Sequence, residues 1–167
     1  MDKFEIEAIG MGFNTSGYPG AFTPKVGNLV TALLYGKVLQ LFSGQSVIGD
    51  ERVDIEHRNA TINKDVYDFV NQDNRQWDWI ILDPPYNITR KETKLSKYGK
   101  RACIASDVRL RRALKIYLQH HTQNVLWLDI CAPMVQGFHR RKLWLLLPGG
   151  FHTVRVLSWL ERICIPF

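Results

Sequence analysis

The sequence is short of cysteine, of long apolar runs and of acidic charge, and each shortage excludes a class of protein. Its cysteines, Cys103, Cys131 and Cys164, lie far apart and form no CxxC pair, so neither a zinc site nor a disulfide framework is expected. No apolar run approaches the roughly 18 residues of a membrane span, and the charged N-terminus does not resemble a signal peptide. We therefore expect an intracellular, cytoplasmic protein with no membrane partner and no bound metal.

Basic residues are plentiful and unevenly distributed. The chain has 22 lysines and arginines against 16 acidic residues, a formal net charge of +6. Ten of the 22 lie between Arg90 and Lys115, where only Glu92 and Asp107 oppose them. Such a run can be an exposed, solvated helix and loop, or it can bind a polyanion. We favour the second interpretation and predict that five of these residues contact nucleic-acid phosphates: Lys91, Lys94, Lys97, Lys100 and Arg101.

Short apolar segments that alternate with helical or loop segments predict an α/β fold. Seven strands are expected, at 38–42, 52–55, 60–62, 77–82, 124–130, 143–147 and 153–160. Helices are expected from Pro24 to about Gly36, over one or two turns at 66–71, and from about 106 to 120. The turn Pro148-Gly149-Gly150 makes the last two strands an antiparallel edge pair in an otherwise mostly parallel, mixed sheet. Residues 1–20 are interpreted as an irregular N-terminal segment, and 21–167 as one domain.

The residues at or just after the ends of four of these strands form a chemical pattern. Phe42-Ser43-Gly44 is a small turn, Asp54 and Asp65 are carboxylates, and Asp83-Pro84-Pro85-Tyr86 follows an apolar strand. Ligands bind at the carboxyl ends of the strands in open α/β sheets. A small turn allows close approach of the backbone to a ligand, one carboxylate can accept hydrogen bonds from ribose hydroxyls, and another from an adenine amine. These are the requirements of a nucleoside cofactor.

The two carboxylates have other interpretations. Asp54 and Asp65 could each cap a helix or a turn instead of binding a ligand. Glu56 is a rival of Asp54 for the ribose, and Asp50 is a weaker rival.

An Asp-Pro-Pro-Tyr loop after an apolar strand, downstream of a Phe-x-Gly turn, resembles the amino-methyltransferases of DNA, which methylate adenine N6 or cytosine N4 with S-adenosylmethionine. The resemblance covers about residues 21–160 and implies a single Rossmann-like class I methyltransferase domain. It also implies catalysis by Asp83, Pro84, Pro85 and Tyr86. The residues that it assigns to S-adenosylmethionine are Phe22, Thr23, Pro24, Phe42, Ser43, Gly44, Asp54 and Asp65.

The chemistry of the loop suits the amine of a base, which is a poor nucleophile because its lone pair is delocalised into the ring. The Asp83 carboxylate and the Pro84 carbonyl can accept hydrogen bonds from the amine hydrogens, which localises that lone pair. The two prolines hold the carbonyl in position in advance. Tyr86 can stack on the target base, which contributes roughly 1–3 kcal/mol. The sequence therefore predicts methyl transfer to an exocyclic amine, with adenine N6 of DNA preferred.

Two departures from the family pattern leave other functions open. Ser46 stands where the family has a second glycine, with Gly49 as a possible replacement, and Gly44 and Asp54 are too close for the usual first helix. A non-catalytic nucleic-acid-binding subunit with a methyltransferase fold is therefore an alternative. A methyltransferase acting on guanine N2 or adenine N6 of RNA is another. No separate target-recognition domain is expected, so recognition is loose or depends on the 87–105 loop or on a specificity-conferring protein partner.

Overall fold

The computed structural model describes residues 4–12, 22–85, 107–149 and 154–163. Eight strands and three helices lie in these ranges, and all eight strands belong to one sheet. The strands are β1 (Glu5–Gly12), β2 (Val38–Leu41), β3 (Glu51–Asp54), β4 (Ile62–Asn63), β5 (Trp77–Leu82), β6 (Thr122–Asp129), β7 (Phe138–Pro148) and β8 (Arg155–Arg162). The helices are α1 (Pro24–Leu33), α2 (Val66–Val70) and α3 (Val108–His121).

The strand order is β1-β7-β8-β6-β5-β2-β3-β4. Strands β4, β3, β2, β5 and β6 are mutually parallel, β8 is antiparallel to both β6 and β7, and β1 is parallel to β7. The five parallel strands therefore end at one edge of the sheet, which we call the carboxyl edge. The opposite edge, where they begin, is the amino edge.

Helices cover both faces of the sheet. Each helix buries its apolar stripe against the face that it covers. Val26 and Val30 of α1 pack in one core cluster with Trp79, Leu126 and Trp144. On the other face, α2 and α3 pack against the sheet in a second cluster. That cluster includes Leu39, Leu41, Phe69, Ile80, Leu110, Leu114, Leu118 and Trp127.

The prediction of a seven-stranded, Rossmann-like class I methyltransferase sheet is wrong. The sheet has an eighth strand, β1, which pairs with β7, so β7 and β8 are not an edge pair. In addition, residues 42–50 and 55–61 join neighbouring parallel strands without a helix, although such a crossover ordinarily contains one. The described part of the chain is a mixed α/β sheet with few helices.

Strand β1 also corrects the interpretation of residues 1–20 as irregular, because 5–12 form a strand. Its sequence carries little apolar periodicity, and most of its residues are exposed. Glu5 and Glu7 contribute to its position by pairing with Lys142 of β7, at 2.6 and 2.8 Å. A strand held at an edge by backbone pairing and ion pairs needs no alternating apolar pattern, which is why its sequence did not reveal it.

The other predicted elements are confirmed with shifted bounds. Helix α1 begins at Pro24 after the N-cap Thr23, and it ends at Leu33, before Gly36. Strand β7 begins at Phe138, earlier than the apolar run beginning at Leu143, because backbone pairing with β8 extends into the polar residues before it. No helix in the described ranges has the length and apolar character needed to cross a membrane.

A polar network at the amino edge joins α3 to the start of β5. The Asp73 carboxylate accepts hydrogen bonds from Tyr117 and Trp77 and is ion-paired with Arg75. Burial favours the neutral acid, but hydrogen bonds from Tyr117, Arg75 and Trp77 outweigh it and hold the pKa of Asp73 below its ordinary 3.8. The His121 ring stacks on Tyr117, with 4.4 Å between ring centroids. This network lies at the opposite end of the strands from the residues with predicted chemical roles, so its role is stability.

Candidate active site at the carboxyl edge

Two of the predicted motifs leave the sheet side by side. Leu41 and Leu82, the last residues of β2 and β5, are paired directly. The Phe42-Ser43-Gly44 turn and the Asp83-Pro84-Pro85 segment therefore start at the same level on adjacent strands. Since neighbouring strands lie roughly 4.8 Å apart, a single small molecule can contact both motifs. From β2 the chain adds β3 and β4 on one side, and it then returns to add β5 and β6 on the other side of β2. Such switch points between neighbouring parallel strands form ligand-binding crevices.

The turn after β2 is held in an uncommon backbone conformation. Phe42 has a φ of 58° and Gly44 a φ of 50°, so two left-handed residues flank Ser43. Glycine adopts this region easily, but an aromatic residue there costs about 1–3 kcal/mol. Strain of this size is typical of residues that shape a binding site.

The Ser43 hydroxyl is a buried polar group in this strained turn. The residue is 5% exposed, and its Oγ has no hydrogen-bond partner among the described residues. Its backbone is fully engaged, because its N–H donates to Val53 O at 3.0 Å and its carbonyl accepts from Ser46 N at 2.9 Å. Buried hydroxyls are nearly always hydrogen-bonded in proteins. The Ser43 Oγ is therefore suited to a polar ligand at the end of β2.

Asp54 stabilises this turn through backbone hydrogen bonds. Its Oδ2 accepts from Gly44 N at 2.9 Å, and its Oδ1 accepts from Glu56 N at 3.1 Å and His57 N at 2.9 Å. A carboxylate offers about four acceptor positions, so three of them are occupied. Asp54 therefore joins the turn after β2 to the turn after β3, and it retains little capacity for two ribose hydroxyls.

The rival acids are separated by the topology. Asp50 lies at the amino edge, where its carboxylate accepts from Val38 N at 2.8 Å. Glu56 follows β3 at the carboxyl edge, and its side chain is exposed. Of the two rivals of Asp54, only Glu56 lies at the edge that holds the other candidate residues.

Gly49 does not replace the second glycine of the family pattern. It lies beside the first residue of β2, where an added Cβ would be 3.2 Å from Val38 O, and its φ of 91° serves the return of the chain into β3. Ser46 shapes the loop differently, because its Oγ accepts a hydrogen bond from Ile48 N at 3.2 Å. The turn after β2 therefore depends on Gly44 and Asp54 in place of two glycines.

Asp65 is the N-cap of α2, and its Oδ1 accepts from Tyr67 N at 2.8 Å. It lies at the carboxyl edge beyond β4, three strands from Asp83 in the sheet. The capping role that the sequence allowed is thus present, and a contact with an adenine amine stays a prediction.

The segment 22–24 lies at the same edge, because α1 runs from there to the amino end of β2. Thr23 is buried, and its Oγ1 accepts from Val26 N at 3.5 Å as the cap of α1. Phe22 packs against the core cluster below α1, and Pro24 is the first helical residue. The structure therefore brings this segment, the turn after β2 and the Asp83 segment to one edge.

The catalytic segment is described as far as Pro85. Asp83 is partly buried, Pro84 is buried and Pro85 is partly buried. Tyr86 and the predicted phosphate contacts at Lys91, Lys94, Lys97, Lys100 and Arg101 lie outside the described residues.

One ion pair at this edge was not predicted. Asp129, the last residue of β6, is completely buried, and its Oδ2 lies 2.7 Å from the Arg111 guanidinium in the first turns of α3. The Asp129 Oδ1 accepts from Ile130 N at 2.7 Å. Strand β6 is paired with β5 through Trp127 and Leu82, so this pair anchors α3 next to the Asp83 segment. An acid at the end of a predicted apolar strand was the only sequence signal for it.

The residues at this edge can hold a nucleoside cofactor through hydroxyl, carboxylate and backbone groups. The unsatisfied Ser43 Oγ and the exposed Glu56 are the donors and acceptors that fit such a molecule. Within the described ranges, no three His, Cys, Asp or Glu side chains come together as a metal site. No protein-family model matches the sequence, and a search of curated proteins found no significant match.

Proposed function

We propose that the chain is an S-adenosylmethionine-dependent methyltransferase that modifies the exocyclic amine of a base in DNA, with adenine N6 as the target atom. The observation that carries the proposal is the pairing of Leu41 with Leu82, which places the strained Ser43 turn beside the Asp83-Pro84 segment.

The residues of the carboxyl edge would bind the cofactor at one end of a crevice and the target amine at the other. Ser43 and the 22–24 segment would hold the cofactor near β2, and the bound cofactor would supply an electrophilic methyl group. Asp83 and the Pro84 carbonyl would accept hydrogen bonds from the amine hydrogens and so localise the nitrogen lone pair. Because these acceptors are positioned before the substrate binds, little reorganisation is needed. A base in a duplex would have to leave the stack to reach them.

Glu56 is the residue that we propose for the ribose hydroxyls, with Asp54 as the residue that positions the turn. This division follows from the three backbone hydrogen bonds to Asp54 and the exposure of Glu56. Glu56→Gln is expected to weaken S-adenosylhomocysteine binding and leave stability unchanged. Asp54→Asn is expected to lower both the affinity for S-adenosylhomocysteine and the stability of the protein, because it disturbs the turn. Calorimetric titration and urea unfolding separate the two effects, and normal binding by Glu56→Gln would refute the assignment.

The catalytic assignment is tested with Asp83→Ala. Loss of a preorganised electrostatic contact of this kind lowers the rate by about 100-fold or more, so transfer of labelled methyl groups to DNA should fall by at least that factor. S-adenosylhomocysteine binding should stay within about twofold. Asp68→Ala is the matched control, since Asp68 is an exposed acid on α2. Unchanged turnover in Asp83→Ala would disprove the catalytic role.

A non-catalytic nucleic-acid-binding subunit is the second candidate function. The observation in its favour is that Asp54 is occupied by backbone groups and that no helix follows the turn after β2. It predicts DNA binding without binding of S-adenosylmethionine or S-adenosylhomocysteine. Comparing duplex DNA, single-stranded DNA and RNA as methyl acceptors distinguishes an active enzyme from this subunit, and a DNA enzyme from an RNA enzyme.

A further inference from the structure

The outward face of α3 is basic and contains no acid. The helix buries Leu110, Leu114, Tyr117 and Leu118 against the sheet. Arg109, Arg112 and Lys115 lie away from that stripe, and all three are exposed. They recur every three residues, so they rise along the helix in steps of about 4.5 Å. The result is a row of cations over the first half of α3.

Most of this charge is not neutralised by the residues that the structure describes. Arg109 is 3.8 Å from its own N-cap Asp107, with its side chain 86% exposed, and exposed pairs of this kind contribute little. Arg112 and Lys115 have no ion-pair partner among residues 4–12, 22–85, 107–149 and 154–163. Within the described part of the chain, the row therefore presents positive charge to solvent with little compensation.

The row has a fixed position relative to the candidate active site. Arg111 lies between Arg109 and Arg112 in sequence but turns inward to the buried Asp129 at the end of β6. That ion pair ties the start of α3 to the carboxyl edge, next to β5, the strand that precedes Asp83. The start of the row therefore lies at the same edge of the sheet as the Asp83 segment.

We propose that Arg109, Arg112 and Lys115 form a docking surface for the sugar-phosphate backbone of nucleic acid, outside the 91–101 segment. Charge complementarity supports this occupant, since a duplex carries about one negative charge per 1.7 Å of its axis. The three residues also belong to the run between Arg90 and Lys115 that holds ten of the 22 basic residues. Contacts of this type position the substrate without reading its sequence.

This inference extends the proposed function, because it takes the polyanion to be the substrate modified at the carboxyl edge. Docking on α3 would hold a duplex in place while one base leaves the stack.

The test compares single charge reversals in the full chain. Arg112→Glu and Lys115→Glu are measured against Lys37→Glu, which makes the same change in net charge at an exposed position at the amino edge. Binding of a short fluorescein-labelled DNA duplex is followed by anisotropy over a range of salt concentrations. Each α3 variant should weaken binding equally for duplexes of different sequence, and each should reduce the salt slope by about one. Lys37→Glu should bind as the unmodified chain does.

Several outcomes would overturn the docking surface. Unchanged affinity and salt slope in both α3 variants would remove it, and so would an equal loss in Lys37→Glu. The third is failure of the unmodified chain to bind duplex DNA or RNA, or binding of poly-glutamate as tightly as a duplex, which would indicate an acidic protein partner instead. Circular dichroism confirms that the variants fold, and calorimetry with S-adenosylhomocysteine confirms an intact cofactor site.

Methyl-transfer assays keep this inference separate from the proposed function. A chain that binds DNA through α3 but transfers no methyl group would refute only the proposed function. A chain that methylates DNA with unchanged affinity in the α3 variants would refute only the docking surface.

Discussion

Removal of one partner of the Arg111–Asp129 pair should destabilise the protein strongly. Asp129 is completely buried, and without Arg111 its carboxylate keeps the hydrogen bond from Ile130 N but loses a counter-ion at 2.7 Å. Breaking a buried pair in this way costs about 3–5 kcal/mol, because the remaining charge is uncompensated. The Arg111 side chain is 26% exposed. We therefore expect Arg111→Leu to lower the free energy of unfolding by about 3 kcal/mol, the lower end of this range.

Equilibrium unfolding in urea measures this loss. With a typical slope of about 2 kcal/mol/M for a protein of this size, a loss of about 3 kcal/mol lowers the midpoint by roughly 1.5 M. Arg109→Leu is the control, because its pair with Asp107 is long and exposed and should contribute at most about 1 kcal/mol. The double variant Arg111→Leu/Asp129→Leu should recover most of the stability, since no buried charge remains.

A cost below about 1 kcal/mol for Arg111→Leu would refute the reasoning, because that is the value of an exposed pair. A double variant as unstable as the single one would also contradict it. The first result would mean that α3 is held to the carboxyl edge by its apolar stripe alone, and the second that an uncompensated Asp129 charge is not the cause of the loss.

Three further predictions concern stability. Gly36→Ala should lose at least about 1 kcal/mol in urea unfolding, because its φ is 65° and an added Cβ would lie 2.0 Å from Asp78 Oδ2. Gly27→Ala in α1, with open space around the new Cβ, should instead gain about 0.5–1 kcal/mol. The lowered pKa of Asp73 contributes stability that is present above pH 3.8 and is lost as pH falls through the folded value. Asp73→Asn should therefore be less stable at neutral pH and show a shallower loss on acidification, and an unchanged acid profile would contradict the lowered pKa of Asp73.

Local patterns in the sequence were sufficient for most of the elements. The alternation of apolar segments predicted β2, β3, β5, β6 and the helices α1 and α3, because burial of a face imposes a period on the chain. The same patterns missed β1, which is mostly exposed and held by pairing with β7. The prediction of a seven-stranded class I sheet failed for this reason, and because short loops without helices join β2 to β3 and β3 to β4.

The sequence by itself determined which residues stand at the ends of strands: the turn at 42–44, the acids at 54 and 65, and the Asp83 segment. Tertiary structure alone decided what each acid contacts. It directs Asp54 to three backbone amides, places Asp50 at the opposite edge from Glu56, and buries Asp129 against Arg111. Strand ends follow from local propensity and periodicity, whereas the partner of a carboxylate depends on which strands become neighbours, and that is set by packing of the whole sheet.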